Sequence, residues 1–298
     1  MSDTATPRHM AGRAISARLS TYLLWIVLGI GSFLMAAPFI WMFTTTLSPI
    51  SDAFTLPPQW LPGRDITIES YLRALNDYPD LLRYFWNSAY ISTLVTLGYV
   101  TVATMAGYAF AQMEFPFKAP LFVLLLISLM VPIQTMIIPL YVIMRSLGLL
   151  GTHGAIIVPG IIGAFAPGLS GVFGVFLMRQ FFMTMPKDLI DAGKVDGAAP
   201  LRIFWTIAAP LAKPQMAALA IIVFTMTWND YFVPLVFMLT GDKQVLPLAI
   251  VGISGGRGGE VPTAVILAAV SMSILPILIA FLAMQRLIVE SFMRAGVK

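Results

Sequence analysis

The chain has 298 residues, 58% of them hydrophobic and only 11% charged, with a mean hydropathy of +0.87 and a formal charge of +4. A charged fraction so far below the roughly 25% of soluble domains excludes a soluble globular protein and points to an integral membrane protein. Cysteine is absent, which excludes a disulfide framework, a thiolate nucleophile and a cysteine-ligated metal, and the basic residues are scattered through short loops, which excludes a nucleic-acid-binding patch.

A helix crossing the hydrocarbon layer needs about 20 mostly apolar residues. Six segments meet that requirement, at roughly 22–47, 86–112, 119–144, 155–178, 215–239 and 263–284. Strands of a membrane barrel would alternate apolar and polar residues over about ten positions, which these continuous runs do not do. The expectation is an all-α, polytopic membrane protein with six transmembrane helices, in a single membrane domain covering 1–298. Lys and Arg set its orientation, because positively charged loops stay in the cytoplasm. With the N-terminus inside, twelve of the 18 basic residues fall on the inner side and six on the outer, so the terminal segments 1–21 and 285–298 are expected in the cytoplasm.

The first span has a basic flank and the pair Ala36-Ala37, as a cleaved signal sequence does. Its apolar run continues through Phe39, Ile40, Trp41 and Phe43, beyond the roughly 7–15 residues of a signal core, so it is read as a retained anchor. The outer segment 48–85 follows. Pro49, Pro57, Pro58 and Pro62 stiffen its first half against helix formation, while ITIESYLRALNDYPDLLRYF in its second half mixes apolar and charged positions as a short helix on the membrane surface does. Composition leaves a docking platform and an ordinary solvated loop equally open here. In the third span Gln134 lies between Pro132 and Pro139, where a bend would expose backbone carbonyls and place a polar side chain on the translocation path; packing polarity is the other reading. Gly168, Gly171 and Gly174 in the fourth span permit close helix contact.

The inner loop 179–214 concentrates charge in a chain otherwise nearly devoid of it. Pro186 suits a first helical turn, Asp188 and Asp191 favour a helix N-terminus, and Gly197 offers a stop that tolerates left-handed backbone angles, so one short helix is expected over about 187–196. Pro200 can start a second helix, in which Leu201, Phe204, Trp205 and Ala208 recur at helical spacing as an apolar stripe, and Pro210 is expected to end it. Two short helices joined at a glycine make a bracket between spans.

In the fifth span, Trp228-Asn229-Asp230 holds the only acid within the predicted spans. An intramembrane carboxylate is costly enough to suggest function. Asn229 and Asp230 are therefore candidates for the substrate path, with helix packing or a gate as the alternative. The outer loop 240–262 contains GISGGRGGE, which lacks the Lys-Ser/Thr ending of a phosphate-binding loop and lies on the wrong face for ATP. An intramembrane enzyme would need a nucleophile and base or a metal triad, but His9 and His153 fall on opposite sides and no ligand cluster occurs. An ion-driven secondary transporter is the competing class. It would commonly show several intramembrane charges and matching broken helices in two halves of the chain.

Asp191-Ala192-Gly193, Asp196-Gly197-Ala198, Ile207 ten residues after that last glycine and Pro210 three residues later resemble the EAA signature of permease subunits of bacterial ABC importers. The resemblance extends to PFIWM with PPQWLP, Asn87-Ser88, VPIQTMIIPLYVIMRSLGLLGT, Trp228-Asn229-Asp230 and QRLIVESFMRAGVK, and is similar to the carbohydrate-uptake branch of maltose and glycerol-phosphate type. Asp191 stands where that family usually has Glu, and Ala209 where it usually has Leu. The resemblance implies the transmembrane domain of a type I ABC importer in a bacterial inner membrane, carrying sugars or polyols. It also implies a second permease, two ATPase subunits that bind ATP and Mg, and an extracytoplasmic solute-binding protein, with no cofactor and no hydrolysis in this chain. The bracket would be a coupling helix seated in an ATPase cleft. Asp191 is then the charged contact, Gly197 the hinge, and Leu201, Phe204 and Trp205 the brace.

Overall fold

The computed structural model describes residues 7–51, 60, 65–163, 172–238, 241–255 and 261–296, with side chains from 21 to 287 within those ranges. Among the described residues every regular element is a helix. The chain divides into two units, Met1–Arg73 with Pro262–Ser271, and Ala74–Val261 with Met272–Lys298.

In the first unit, α1 (Pro7–Thr46) contains an apolar stretch, Thr21–Thr46, that is exposed through most of its length, as a lipid-facing helix should be. Its last turn is rich in hydroxyls, and each finds a local acceptor. Thr44 and Thr45 donate to the Trp41 carbonyl at 2.9 and 2.8 Å, and Thr46 donates to that of Phe43 at 2.9 Å, so no unsatisfied hydroxyl meets the apolar surroundings. Helix α2 (Glu69–Asn76) is a short helix within the stretch where one was expected. Its Tyr71 hydroxyl lies 3.0 Å from both Thr46 Oγ1 and Ser271 Oγ. Pro57, Pro58 and Pro62, expected to stiffen the preceding stretch, lie outside the described residues.

The second unit is organised around α3 (Leu81–Gln112), which begins five residues before the expected second span. Its buried residues, among them Ile91, Val95, Tyr99, Ala103 and Gly107, form one helical face. Against this face pack α6 (Gly154–Ile161), α7 (Val172–Met183) and α11 (Lys213–Trp228). The closest approaches are at glycines. A Cβ on Gly107 would stand 2.6 Å from Met178 Cβ and 2.8 Å from the Arg179 backbone nitrogen. Gly174 donates its N–H to the Tyr99 hydroxyl at 2.8 Å. Gly174 thus serves close packing as expected, whereas Gly168 and Gly171 lie outside the described residues.

The helical membrane fold is as expected, but not every expected span is one continuous helix. Among the described residues, three helical stretches are by themselves long and apolar enough to cross a membrane, Thr21–Thr46, Leu81–Gln112 and Thr263–Leu287, the last within α14 (Thr263–Gly296); counting two bent pairs as spans brings the total to five. The third predicted span is broken into α4 (Lys118–Ser128) and α5 (Ile133–Ser146), bent by 104°. Pro132 causes the break: it sits in extended geometry (φ −67°, ψ 141°) before α5, lacks a backbone donor, and disfavours helical angles at Val131. The fourth is divided between α6 and α7. The fifth stops at Trp228 and resumes as α12 (Phe232–Phe237).

Near the start of α3, Asn87 Nδ2 donates to the carbonyls of Asp242 and Gln244 at 3.0 and 2.8 Å, and Ser88 Oγ accepts the Leu246 N–H that opens α13 (Leu246–Ser254). Near the end of α3, the Arg179 guanidinium lies 4.1 Å over the Phe122 ring while its Nε donates to the Phe110 carbonyl. Gln112 donates to the Phe182 carbonyl at 2.6 Å.

Candidate functional site

The bracket between the fourth and fifth spans consists of α8 (Lys187–Val195), α9 (Pro200–Ile203), a π-helical turn at Phe204–Ala208 and α10 (Ala209–Leu211). Pro186 precedes α8, and Asp188 lies in its first turn, where a negative charge is favoured by the helix dipole. The helix ends in a Schellman motif. Ala198 N–H reaches the Gly193 carbonyl at 3.0 Å and Gly197 N–H the Lys194 carbonyl at 2.9 Å. That closure needs the left-handed backbone of Gly197 (φ +73°). No atom lies within 4 Å of where a Gly197 Cβ would stand, so glycine is required there for its backbone angles and not for space.

Gly193 has the opposite reason to be small. Its missing Cβ would stand 3.2 Å from Ile203 Cγ1 and Ile207 Cδ1, so the two arms of the bracket meet there. Ile190, Ile203, Phe204 and Ala208 are all buried at the root of the bracket. The Phe204 ring centroid is 5.2 Å from that of Tyr108 on α3, which in turn is 5.4 Å from Phe182 on α7. A continuous aromatic chain therefore runs from the bracket into two spans of this unit. Tyr108, Ile190 and Ile203 were not among the sequence candidates. Ile190 and Ile203 are short-helix apolar positions whose signal is faint, and Tyr108 is hidden within a uniformly apolar span.

Two expectations for this loop are corrected. The helix does not end at Pro210 but continues to Leu211. The π-turn explains why: Ala209 N–H reaches back five residues to the Phe204 carbonyl, and the widened turn accommodates both the missing donor and the ring of Pro210. The expected apolar stripe is also divided. Phe204 and Ala208 are buried, but Leu201 and Trp205 are 59% and 52% exposed. With Leu189 and Val195, the latter 87% exposed, they contribute exposed apolar surface to the bracket. Charged groups accompany it, for Asp191 Oδ1 accepts from Lys194 Nζ at 2.8 Å with both side chains about 60% exposed. That hydrogen bond raises the Lys194 ammonium above its usual range. Ala192 and Asp196 are exposed, and Ile207 and Ala198 are half-buried. All twelve coupling candidates thus fall in one bracket with a buried root and an exposed face.

The three path candidates are not brought together as a site. Gln134 is exposed in the first turn of α5, beside the break. Asn229 is exposed at the end of α11 and donates to the Thr225 carbonyl at 2.8 Å. Asp230 is buried, and its Oδ1 accepts from the N–H groups of Phe232 and Val233 at 3.1 and 3.4 Å, which caps α12. Trp228 is fully buried and donates to the Ser273 carbonyl at 3.0 Å. The Trp-Asn-Asp sequence is thus the turn that interrupts the fifth span. Among the described residues no group of three His, Cys, Asp or Glu is placed to hold a metal ion.

Apolar helices interrupted at polar turns, together with a helical bracket whose root is buried in the bundle, are the architecture of a membrane permease subunit. The chain belongs to the family of binding-protein-dependent transport system inner membrane components, which residues 100–294 match, and is an ABC importer permease. It is 31% identical over 276 residues to the lactose transport system permease protein LacG of Rhizobium radiobacter, covering 93% of this chain and 96% of the relative. To the arabinooligosaccharides transport system permease protein AraQ of Halalkalibacterium halodurans it is 31% identical over 233 residues, covering 78% and 80%. To the sn-glycerol-3-phosphate transport system permease protein UgpE of Escherichia coli it is 29% identical over 269 residues, covering 89% and 92%. The fold is shared with a chain of a bacterial ABC transporter involved in the import of the acidic polysaccharide alginate, at a TM-score of 0.73 and 23% identity, over 91% of this chain and 97% of that one. An ion-driven secondary carrier is not favoured by these likenesses.

Proposed function

We propose that this chain forms half of the translocation path of an importer for sugars or related polyols, and that a separate ATPase drives it through the bracket. The observation that carries this reading is the bracket's two-sided construction. Its exposed face, with Leu201, Trp205, Val195 and the Asp191–Lys194 pair, is available to a partner, while its buried root joins Phe204 to Tyr108. Movement imposed on the outside is thereby passed to α3 and α7. ATP binding then biases one of two packings of the helices, since a ligand shifts an equilibrium only by its differential affinity for the two states. ATP and Mg belong to the ATPase pair, and this chain contributes no catalytic group. A second permease completes the path, and a solute-binding protein delivers substrate to the outer face.

The relatives named for lactose, arabinooligosaccharides and glycerol phosphate support a polyhydroxylated substrate. Gln134 and Asn229 keep the exposure needed to meet a passing hydroxyl, and Asp230 shapes the path from behind by fixing the turn. The basic bias of the loops supports a cytoplasmic placement of both ends and of the bracket. The test is the complex reconstituted in vesicles with its partner permease, ATPase and binding protein, and offered a panel of sugars and polyols. Gly197→Pro cannot adopt φ +73° because proline is held near −65°. The expected outcome is an assembled complex that hydrolyses ATP without accumulating substrate. Normal accumulation by that variant would contradict the coupling role.

A further inference from the structure

Among the described residues of the second unit, three buried side-chain atoms without a hydrogen-bond partner, Asp230 Oδ2, Thr227 Oγ1 and Ser92 Oγ, belong to residues that line the same small pocket. Ser92 is 1% exposed, Thr227 8% and Asp230 9%. They come from α3, from the last turn of α11 and from the turn before α12. The pocket offers about 10 Å³ for the centre of a water-sized sphere, at the lower edge of the roughly 10–15 Å³ of such space that a cavity needs to admit one water molecule. Leaving three such groups unpaired would be costly, because each buried donor or acceptor without a partner forfeits its solvation.

We infer that this pocket is a binding site for a single ordered water molecule, which accepts hydrogen bonds from Ser92 and Thr227 and donates one to Asp230 Oδ2. Hydrogen-bond accounting selects water over a monovalent cation. A cation would take lone pairs from all three oxygens but give the two hydroxyl protons no acceptor, whereas water accepts both hydroxyl protons on its two lone pairs and gives one of its own protons to Asp230 Oδ2, which pairs all three protein groups. Buried waters commonly make about three such bonds. The water joins α3 to the interruption of the fifth span, so Asp230 acts with both its oxygens: one fixes the turn through the backbone, the other holds the turn to the neighbouring helix. Asp230→Asn would either surround the water with three donors for its two lone pairs or turn the amide towards the Phe232 and Val233 N–H groups.

The test is a structure of the complete complex in lipid nanodiscs, at a resolution where buried waters are seen, in sodium and in choline buffers. It is combined with hydroxyl-radical footprinting of Trp228, which borders the pocket yet is only 1% exposed. The expected result is one density peak within hydrogen-bonding distance of all three oxygens in both buffers, and labelling of Trp228 despite its burial. In the double variant Ser92→Ala, Thr227→Val, whose valine keeps the threonine shape, the peak and the labelling should both be lost. A pocket without density, a direct hydrogen bond from either hydroxyl to Asp230 Oδ2, or a peak that disappears with sodium removal would overturn the inference. Unchanged Trp228 labelling in the double variant would do so as well.

Discussion

Individual glycines in this chain do different physical work, and substitution separates them. Gly107→Ala would force a methyl group against Met178 Cβ and the Arg179 backbone nitrogen, 2.6 and 2.8 Å away. Backbone cannot rotate out of the way, so a loss of about 1–3 kcal/mol is expected, as for overpacked cores. Gly31 has nothing within 4 Å, so Gly31→Ala should be neutral or stabilising by up to about 1 kcal/mol through helix propensity. Thermal unfolding of the two variants in the same detergent checks the opposite signs. A pH effect belongs to His153, in the loop between α5 and α6. Its Nε2 lies 3.2 Å from the Lys243 carbonyl, and burial holds the imidazole below its ordinary range. Because the folded protein favours the neutral ring, this contribution is fully present above about pH 6.5 and is lost as pH falls through the lowered folded value. Exchange of the Gly151 amide, which donates to Phe237 O nearby, should accelerate on acidification once intrinsic rates are corrected. In His153→Gln the corrected rate should be flat with pH.

At the scale of elements, much of the bracket was legible in the sequence because its signals are local. Pro186, Gly197 and Pro200 set helix ends by backbone chemistry alone, and they lie at or beside the ends expected. Pro210 misled because its meaning depends on a π-turn that no local rule anticipates. The apolar stripe misled for a different reason: helical spacing shows which residues share a face but not how much of that face a neighbour covers. Phe204 is covered by Tyr108, ninety-six positions earlier in the chain, while Trp205 is left exposed. In an all-apolar span, hydrophobic periodicity likewise cannot mark Tyr108 or the buried pocket beside Asp230. A double-mutant cycle of Tyr108→Ala and Phe204→Ala tests the root directly. Aromatic pairs contribute about 0.5–1.5 kcal/mol beyond area burial, so a coupling energy in that range is expected from unfolding of the four proteins. Zero coupling would remove the proposed link between bracket and span.

For the whole molecule, composition alone established a helical membrane protein. It overestimated continuity: among the described residues, three of the six apolar segments form unbroken helices of spanning length, while Pro132 and the Trp228-Asn229-Asp230 turn interrupt two others and α6 of the fourth ends at Ile161. Apolar character measures affinity for lipid and says little about whether backbone hydrogen bonds run without a gap. The proposed function rests on force entering through a loop whose outer side chains are exposed and whose root is buried against α3. The most direct measurement places a photo-reactive phenylalanine analogue at Trp205, half-exposed on the bracket, in the assembled transporter. Irradiation should yield an adduct with the ATPase subunit, with a yield that changes when ATP is bound. Adducts confined to lipid or to this chain itself, in every nucleotide state, would contradict the account.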